Sequence, residues 1–244
     1  MDATLKESLK KLRLNYLAEN YEEFISGANK TKITASGLID RIVNLETVEK
    51  ARRGTERRVR AAKLGRFKHL SNFDWNWPKG ITKDQVDDLI KSDFIGKKRN
   101  LILAGAQGLG KTQIAKNIGY QALMGGKSVL FTSASDLVLN LKAQDNHVDL
   151  NRQLKKFVSP DLLIMDELGY LSYDCQAADM IFEVVNRRYE NGSIIITTNL
   201  GFKDWNTVFP GAACLTAMID RLTHHCEVIK IEGKSYRLRE SKQT

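Results

Sequence analysis

Residues 105–112 read Gly-Ala-Gln-Gly-Leu-Gly-Lys-Thr and match G-x-x-x-x-G-K-[ST]. An apolar run at 100–104 precedes them, and a helical pattern follows at about 112–124. Strand, glycine loop and helix in that order leave few folds open. The glycines let the backbone curl so that successive N–H groups face one anion, and the helix N-terminus adds its dipole. The segment therefore reads as a phosphate loop. Its nucleotide-binding residues are Gly105, Ala106, Gln107, Gly108, Leu109, Gly110, Lys111, Thr112 and Gln113. Lys111 is placed to reach the outer phosphates and the Thr112 hydroxyl to ligate Mg²⁺.

Beyond residue 100, short apolar runs alternate with helical patterns. Strands are expected at 100–104, 128–132, 162–165, 194–198 and 228–231, with 235–238 a candidate for a last one. Helices are expected at about 112–124, 135–143, 149–157, 175–190 and 212–224. Continuous apolar strands between helices call for a parallel sheet covered on both faces, an α/β fold. A sheet of this kind binds ligands at the carboxyl ends of its strands. Leu-Leu-Ile-Met-Asp-Glu at 162–167 puts Asp166 there as a Mg²⁺ ligand and Glu167 as the carboxylate that polarises an attacking water. Asn199 ends the next strand and is placed to position that water. Arg221 and Arg237 are further candidates for the catalytic set. The Asp-Glu pair and the lack of an N-K-x-D motif favour ATP over GTP.

The first 68 residues read as helical. Leu5, Leu9, Leu12, Tyr16, Leu17, Tyr21 and Phe24 follow helical spacing and suggest one amphipathic helix, ended near Gly27. A second is expected from Ser36 as N-cap, with Leu38, Ile42 and Leu45, beside Ile39 and Val43, on its apolar side and a weak point at Gly54. Between Lys50 and Lys68 stand nine basic residues and one acid, Glu56, so this run carries +8 of the chain's net +9. Such imbalance points to a polyanion. Phe73, Trp75 and Trp77 cluster just after it; packing is the first expectation, flanking a planar ligand the second. His224 and His225 show no metal-ligand partners at useful spacing and read as helix C-terminal residues. No stretch of 18 apolar residues exists, and Cys175, Cys214 and Cys226 form no C-x-x-C pair. A cytoplasmic protein without a membrane span fits these features.

Leu-Leu-Ile-Met-Asp-Glu-Leu-Gly-Tyr-Leu, Phe-Lys-Asp-Trp-Asn-Thr-Val-Phe, Asp-Arg-Leu-Thr-His-His and Ile-Glu-Gly-Lys-Ser-Tyr-Arg-Leu-Arg-Glu together resemble the IstB-like insertion-sequence ATP-binding proteins. These are AAA+ helpers of bacterial transposases, related to the DnaC helicase loader, and the resemblance runs the length of the chain. It implies an AAA+ P-loop ATPase with a parallel five-stranded sheet, preceded by a small all-helical domain. It implies ATP and Mg²⁺ as cofactors and ATP-driven homo-oligomers on double-stranded DNA. It also implies a transposase of the same element as partner in DNA recombination, with a replicative helicase as the alternative. By position, Lys111 and Thr112 correspond to Walker A, Asp166 and Glu167 to Walker B, and Asn199 to sensor 1. Arg221 corresponds to an arginine finger acting on a neighbouring subunit, and Arg237 to sensor 2. The family loop commonly reads G-P-P-G-x-G-K-T-H; this chain departs at Ala106, Gln107 and Gln113 and keeps every glycine and the lysine. The expected division is 1–68, for DNA or partner binding and assembly, and 69–244, the ATPase. Candidate DNA contacts are Arg52, Arg53, Arg57, Arg58, Arg60 and Lys63. The rival set is Lys142, Arg152, Lys155 and Lys156, after the second strand, where related initiators grip DNA.

Overall fold

A computed structural model describes residues 2–31, 33–91 and 93–236. It divides into two compact units, 1–57 and 58–244, so residues 58–68 lie with the second unit.

In the first unit the single amphipathic helix is replaced by two, α1 (Ala3–Lys11) and α2 (Asn15–Lys30). The chain turns between them with Arg13 at φ +59°. The Leu14 N–H reaches back to Leu9 O at 2.9 Å and the Arg13 N–H to Lys10 O at 2.9 Å. This is the left-handed helix stop that brings the flanking apolar residues together. Leu9, Leu17, Ala18 and Phe24 then form a small core, which one straight helix could not close. Leu12, on the expected stripe, is left exposed. Gly27 does not end α2. The third helix, α3 (Ala35–Ala61), starts at Thr34 rather than Ser36. Thr34 Oγ1 accepts the Gly37 N–H at 3.2 Å. The helix passes Gly54 without interruption. Leu38, Ile42 and Leu45 pack against the small core, whereas Ile39 and Val43 face outward. Glu46, buried at 3%, accepts the Leu17 N–H at 2.9 Å.

The second unit is a five-stranded parallel sheet. Its strands are β1 (Asn100–Gly105), β2 (Val129–Ser133), β3 (Leu162–Leu168), β4 (Ser193–Thr198) and β5 (Cys226–Ile231), in the order β2-β3-β4-β1-β5. The helices are α4 (Lys83–Lys91), α5 (Lys111–Met124), α6 (Ala134–Lys142), α7 (His147–Val158), α8 (Cys175–Arg188), the single turn α9 (Trp205–Val208) and α10 (Leu215–Thr223). Side chains alternate across the sheet. Leu101, Leu103, Ile164 and Ile195 join Val86 of α4 and Ile114 and Ile118 of α5 in one layer. Ile102, Leu163, Met165, Ile194 and Ile196 join α6 to α10 in the other. Both faces are covered, as the unbroken apolar strands require. The edge strand β2 has its Phe131 N–H taken by Ala62 O at 2.8 Å. Of the candidate strand at 235–238, residues 237 and 238 lie outside the described residues, and Tyr236 donates its N–H to Gly108 O at 3.0 Å.

The turn after α8 is built on a buried cation. Arg188, 1% exposed, spreads its guanidinium over five carbonyls: Phe157, Val158, Pro160, Asp161 and Ser193. Burial draws its pKa down to about 10. Five acceptors compensate what would otherwise be a costly buried charge.

Candidate functional site

The loop between β1 and α5 keeps the shape its glycines suggest. Gly108 and Gly110 have φ of +76° and +83°, a region costly for any other residue. A Cβ on Gly110 would stand 2.4 Å from the Phe73 ring, so this position is closed on steric grounds as well. The Lys111 ammonium folds back on the loop, donating to Gly105 O at 2.6 Å and Ala106 O at 2.7 Å. Gln107 through Gln113 line a cavity of about 460 Å³.

The second half of the site depends on strand order. β4 lies between β1 and β3, so a β4 side chain bridges the loop and the Asp-Glu pair. That residue is Thr197, 1% exposed, which the sequence reading does not single out. Its hydroxyl donates to Asp166 Oδ1 and accepts the Glu167 N–H, the latter at 2.9 Å. Thr112 Oγ1 donates to the same carboxylate at 2.8 Å. The register slips here: Met165 pairs with Ile196 but Leu168 with Thr198, placing one extra residue in β3. Bulges re-aim side chains. Glu167 takes φ +61° and, unlike buried Asp166, lines the cavity. One hydroxyl and one carboxylate side by side are hard oxygen donors of the kind Mg²⁺ takes, so Thr112 and Asp166 fit that ion.

The remaining expectations divide. Asn199 follows β4, with its Oδ1 buried and without a hydrogen-bond partner among the described residues. It stands beside Gly169, whose Cβ would lie 3.1 Å from that oxygen. Arg221 does not line the cavity. It donates to Ala217 O at 3.0 Å and lies over the Phe182 ring, 5.2 Å from its centroid. Arg237 lies outside the described residues, although its neighbour Tyr236 lines the cavity.

Lys68, Phe73, Asp74, Trp77 and Tyr170 also line the cavity. The aromatic cluster packs, as the first expectation has it. Phe73 packs on Trp75, centroids 4.6 Å apart, and Trp77 donates to Lys234 O at 2.7 Å, yet Phe73 and Trp77 form cavity wall.

The basic candidates are unequal. Arg52 pairs with Glu49 and Glu56, and Arg53 with Glu49 and Glu19. Hydrogen bonds from Arg52 and then Arg53 hold the Glu49 carboxyl down to about 2. Arg57, Arg60 and Lys63 are exposed, and Arg58 is half-buried. In the rival set Lys142 pairs with Asp174 at 2.8 Å and Arg152 with Asp149 at 3.1 Å; Lys156 donates to Gln153, and Lys155 is exposed.

Residues 7–244 match the family model described as IstB-like ATP binding protein. The chain belongs to this family. It is 34% identical over 242 residues to the insertion sequence IS5376 ATP-binding protein of Geobacillus stearothermophilus, covering 99% of this chain and 96% of that one. To the insertion sequence IS21 ATP-binding protein of Pseudomonas aeruginosa it is 34% identical over 239 residues, covering 98% and 90%. Among solved structures, DnaI superposes with a TM-score of 0.56 at 20% identity, over 71% of this chain and 92% of that one. The DnaC helicase loader gives 0.55 at 20% identity, over 67% and 96%. This IstB-like chain is thus an ATP-binding P-loop protein of the insertion-sequence type with an AAA+ fold. No helix among its described residues is long and apolar enough to cross a membrane.

Proposed function

We propose that the chain is an ATP-hydrolysing assembly factor that oligomerises on double-stranded DNA and stimulates the transposase of its own insertion sequence. The observation that carries the ATPase reading is the three-strand constellation: Thr112 after β1, Thr197 on β4, and Asp166 and Glu167 on the β3 bulge. Gly105–Gln113 would cradle the phosphates, with Lys111 exchanging its loop carbonyls for phosphate oxygens. Thr112 and Asp166 would hold Mg²⁺, which when bound offsets charge on the outer phosphates. Glu167 accepts a proton from water in the cavity, and Asn199 orients that water. Arg221, away from the cavity of its own chain, would complete the site of a neighbour, so that ATP joins two subunits and hydrolysis loosens them. Arg237 would contact nucleotide within its own chain. The relatives named for insertion sequences favour a transposase over a replicative helicase as partner.

The N-terminal region and the basic run of α3, including Arg58, would carry assembly and DNA contact, with the exposed Arg57, Arg60 and Lys63 reaching phosphate more readily than the paired Arg52 and Arg53. The test is electron microscopy of the Glu167→Gln protein with duplex DNA and either ATP or ADP. Regular assemblies with ATP that vanish with ADP are expected. Identical particles in both states would refute the switch.

A further inference from the structure

Glu190, in the turn after α8, meets His224 and His225, which follow α10. Their ligand atoms all lie within 4.8 Å of one another, and all three residues are exposed. We propose that they form a binding site for a divalent transition-metal ion of the zinc class, separate from the Mg²⁺ position at the phosphate loop. The sequence reading found no metal partner for the histidines because Glu190 is remote in the chain. The fold supplies it by bringing the turn after α8 next to the end of α10.

Each ligand stands on a fixed backbone. Glu190, at φ +60°, sits in the turn that the buried Arg188 staples, with the Asn191 and Gly192 N–H groups both on Arg188 O at 2.9 Å. The His224 N–H closes α10 on Asp220 O at 3.0 Å. His225 O accepts the Asn100 N–H at 2.7 Å, at the start of β1. The histidine rings have centroids 4.0 Å apart. His224 is oriented further: its Nδ1 shares a hydrogen bond of 2.9 Å with the Tyr189 hydroxyl, which points to Nε2 as the ligating atom. A hydrogen bond on the second ring nitrogen is the usual support of a metal-bound histidine. Ligands about 2.1 Å from a tetrahedral ion lie roughly 3.4 Å from each other, so small side-chain rotations close the cluster.

The donors select the metal. Two imidazoles and one carboxylate suit zinc, cobalt or nickel, whereas magnesium prefers an all-oxygen shell and gives up water reluctantly. Lys98 and Arg221 line the same cleft and oppose any cation held by charge alone. Imidazole ligation, not bulk electrostatics, must therefore provide the affinity.

The chain has four histidines, which makes the test clean. Untagged full-length protein is titrated with Zn²⁺ against a chromogenic chelator, without nucleotide. One ion per protomer is expected at micromolar affinity or tighter. His224→Ala and His225→Ala should each weaken it at least 10-fold. Tyr189→Phe, a change in a positioning residue, should weaken it about 10-fold without altering stoichiometry. His69→Ala and His147→Ala should leave it unchanged. At 100 times the dissociation constant, about 2.7 kcal/mol of stabilisation, Zn²⁺ should raise Tm by roughly 5–11 °C, and not in His224→Ala. Unchanged affinity in His224→Ala and His225→Ala, loss of binding on changing His69 or His147, or displacement by equimolar Mg²⁺ would each overturn the proposal.

Discussion

Thr197→Val removes one oxygen and keeps the outline of the side chain. That oxygen bridges Asp166 and the Glu167 amide. A hydrogen bond to a charged acceptor contributes about 1.5–3 kcal/mol, and stranding a buried N–H costs about 1–3 kcal/mol more. The added methyl returns about 0.8 kcal/mol. The net loss is then about 3 kcal/mol, or roughly 6–12 °C in Tm for a unit of this size. ATP affinity should survive, because Lys111 and the loop are untouched. Hydrolysis should fall at least 10-fold, since displacing a catalytic group by about 1 Å can cost about 100-fold. Thr197→Ser restores the hydroxyl and should recover both properties. Thermal unfolding by circular dichroism and phosphate release measure the two effects. A valine variant melting within about 2 °C of the parent and turning over normally would refute the bridge. So would a serine variant as impaired as valine.

Lys111→Ala should lose tight ATP binding, and Glu167→Gln should bind ATP but release no phosphate; nucleotide fluorescence and phosphate assays separate them. Arg221→Ala should bind ATP without hydrolysing it, and mixing it with Lys111→Ala should recover part of the activity if the arginine serves a neighbour; co-assembly without recovery argues against that. Changing Arg57, Arg58 and Arg60 together to alanine should flatten the slope of log K against log salt by about two to three units per protomer. An unchanged slope, with loss on altering Lys155 and Lys156, would move the DNA contact to α7. Burial, foremost, pushes the Cys226 thiol up to about 12 and Cys214 to about 11, from 9.0. At pH 8 their thiolate fractions fall about 1,000-fold and 100-fold below that of an ordinary thiol, so mass spectrometry after limited alkylation should find exposed Cys175 labelled first.

The phosphate loop and the Asp-Glu pair were legible because their chemistry is written in consecutive residues beside apolar strands. All five expected strands appear; β3 and β4 are near-continuous apolar runs because both faces are buried, whereas the edge strand β5 leaves Val228 and Lys230 exposed. Thr197 was not legible, because its role comes from β4 lying between β1 and β3, a fact of strand order. The bulge at Glu167 is hidden likewise, since register belongs to a pair of strands and not to one. The break between α1 and α2 is not legible because helical spacing continues through Leu12, whereas the Leu14 N–H to Leu9 O bond favours a stop at Arg13. Gly27 and Gly54 show the converse: glycine lowers helix propensity by about 1 kcal/mol, too little to break α2 or α3. The Glu190–His224 juxtaposition is not legible either, because distant residues meet only once the sheet is assembled.

The strand order also sets a timetable for synthesis. β1 carries the phosphate loop at its end, yet both its neighbours, β4 and β5, are translated later. Trp77 and Lys79 are tied to Lys234 and Glu232, and Gly108 to Tyr236, so the loop is braced by residues made later still. At roughly 5–20 residues per second, β1 waits about 5–20 s for its first partner. A nascent chain carrying the complete glycine loop therefore has no framework to hold it open for ATP. The braced loop is complete only once residues 193–236 have been made, so nucleotide capture is expected to follow translation of Tyr236.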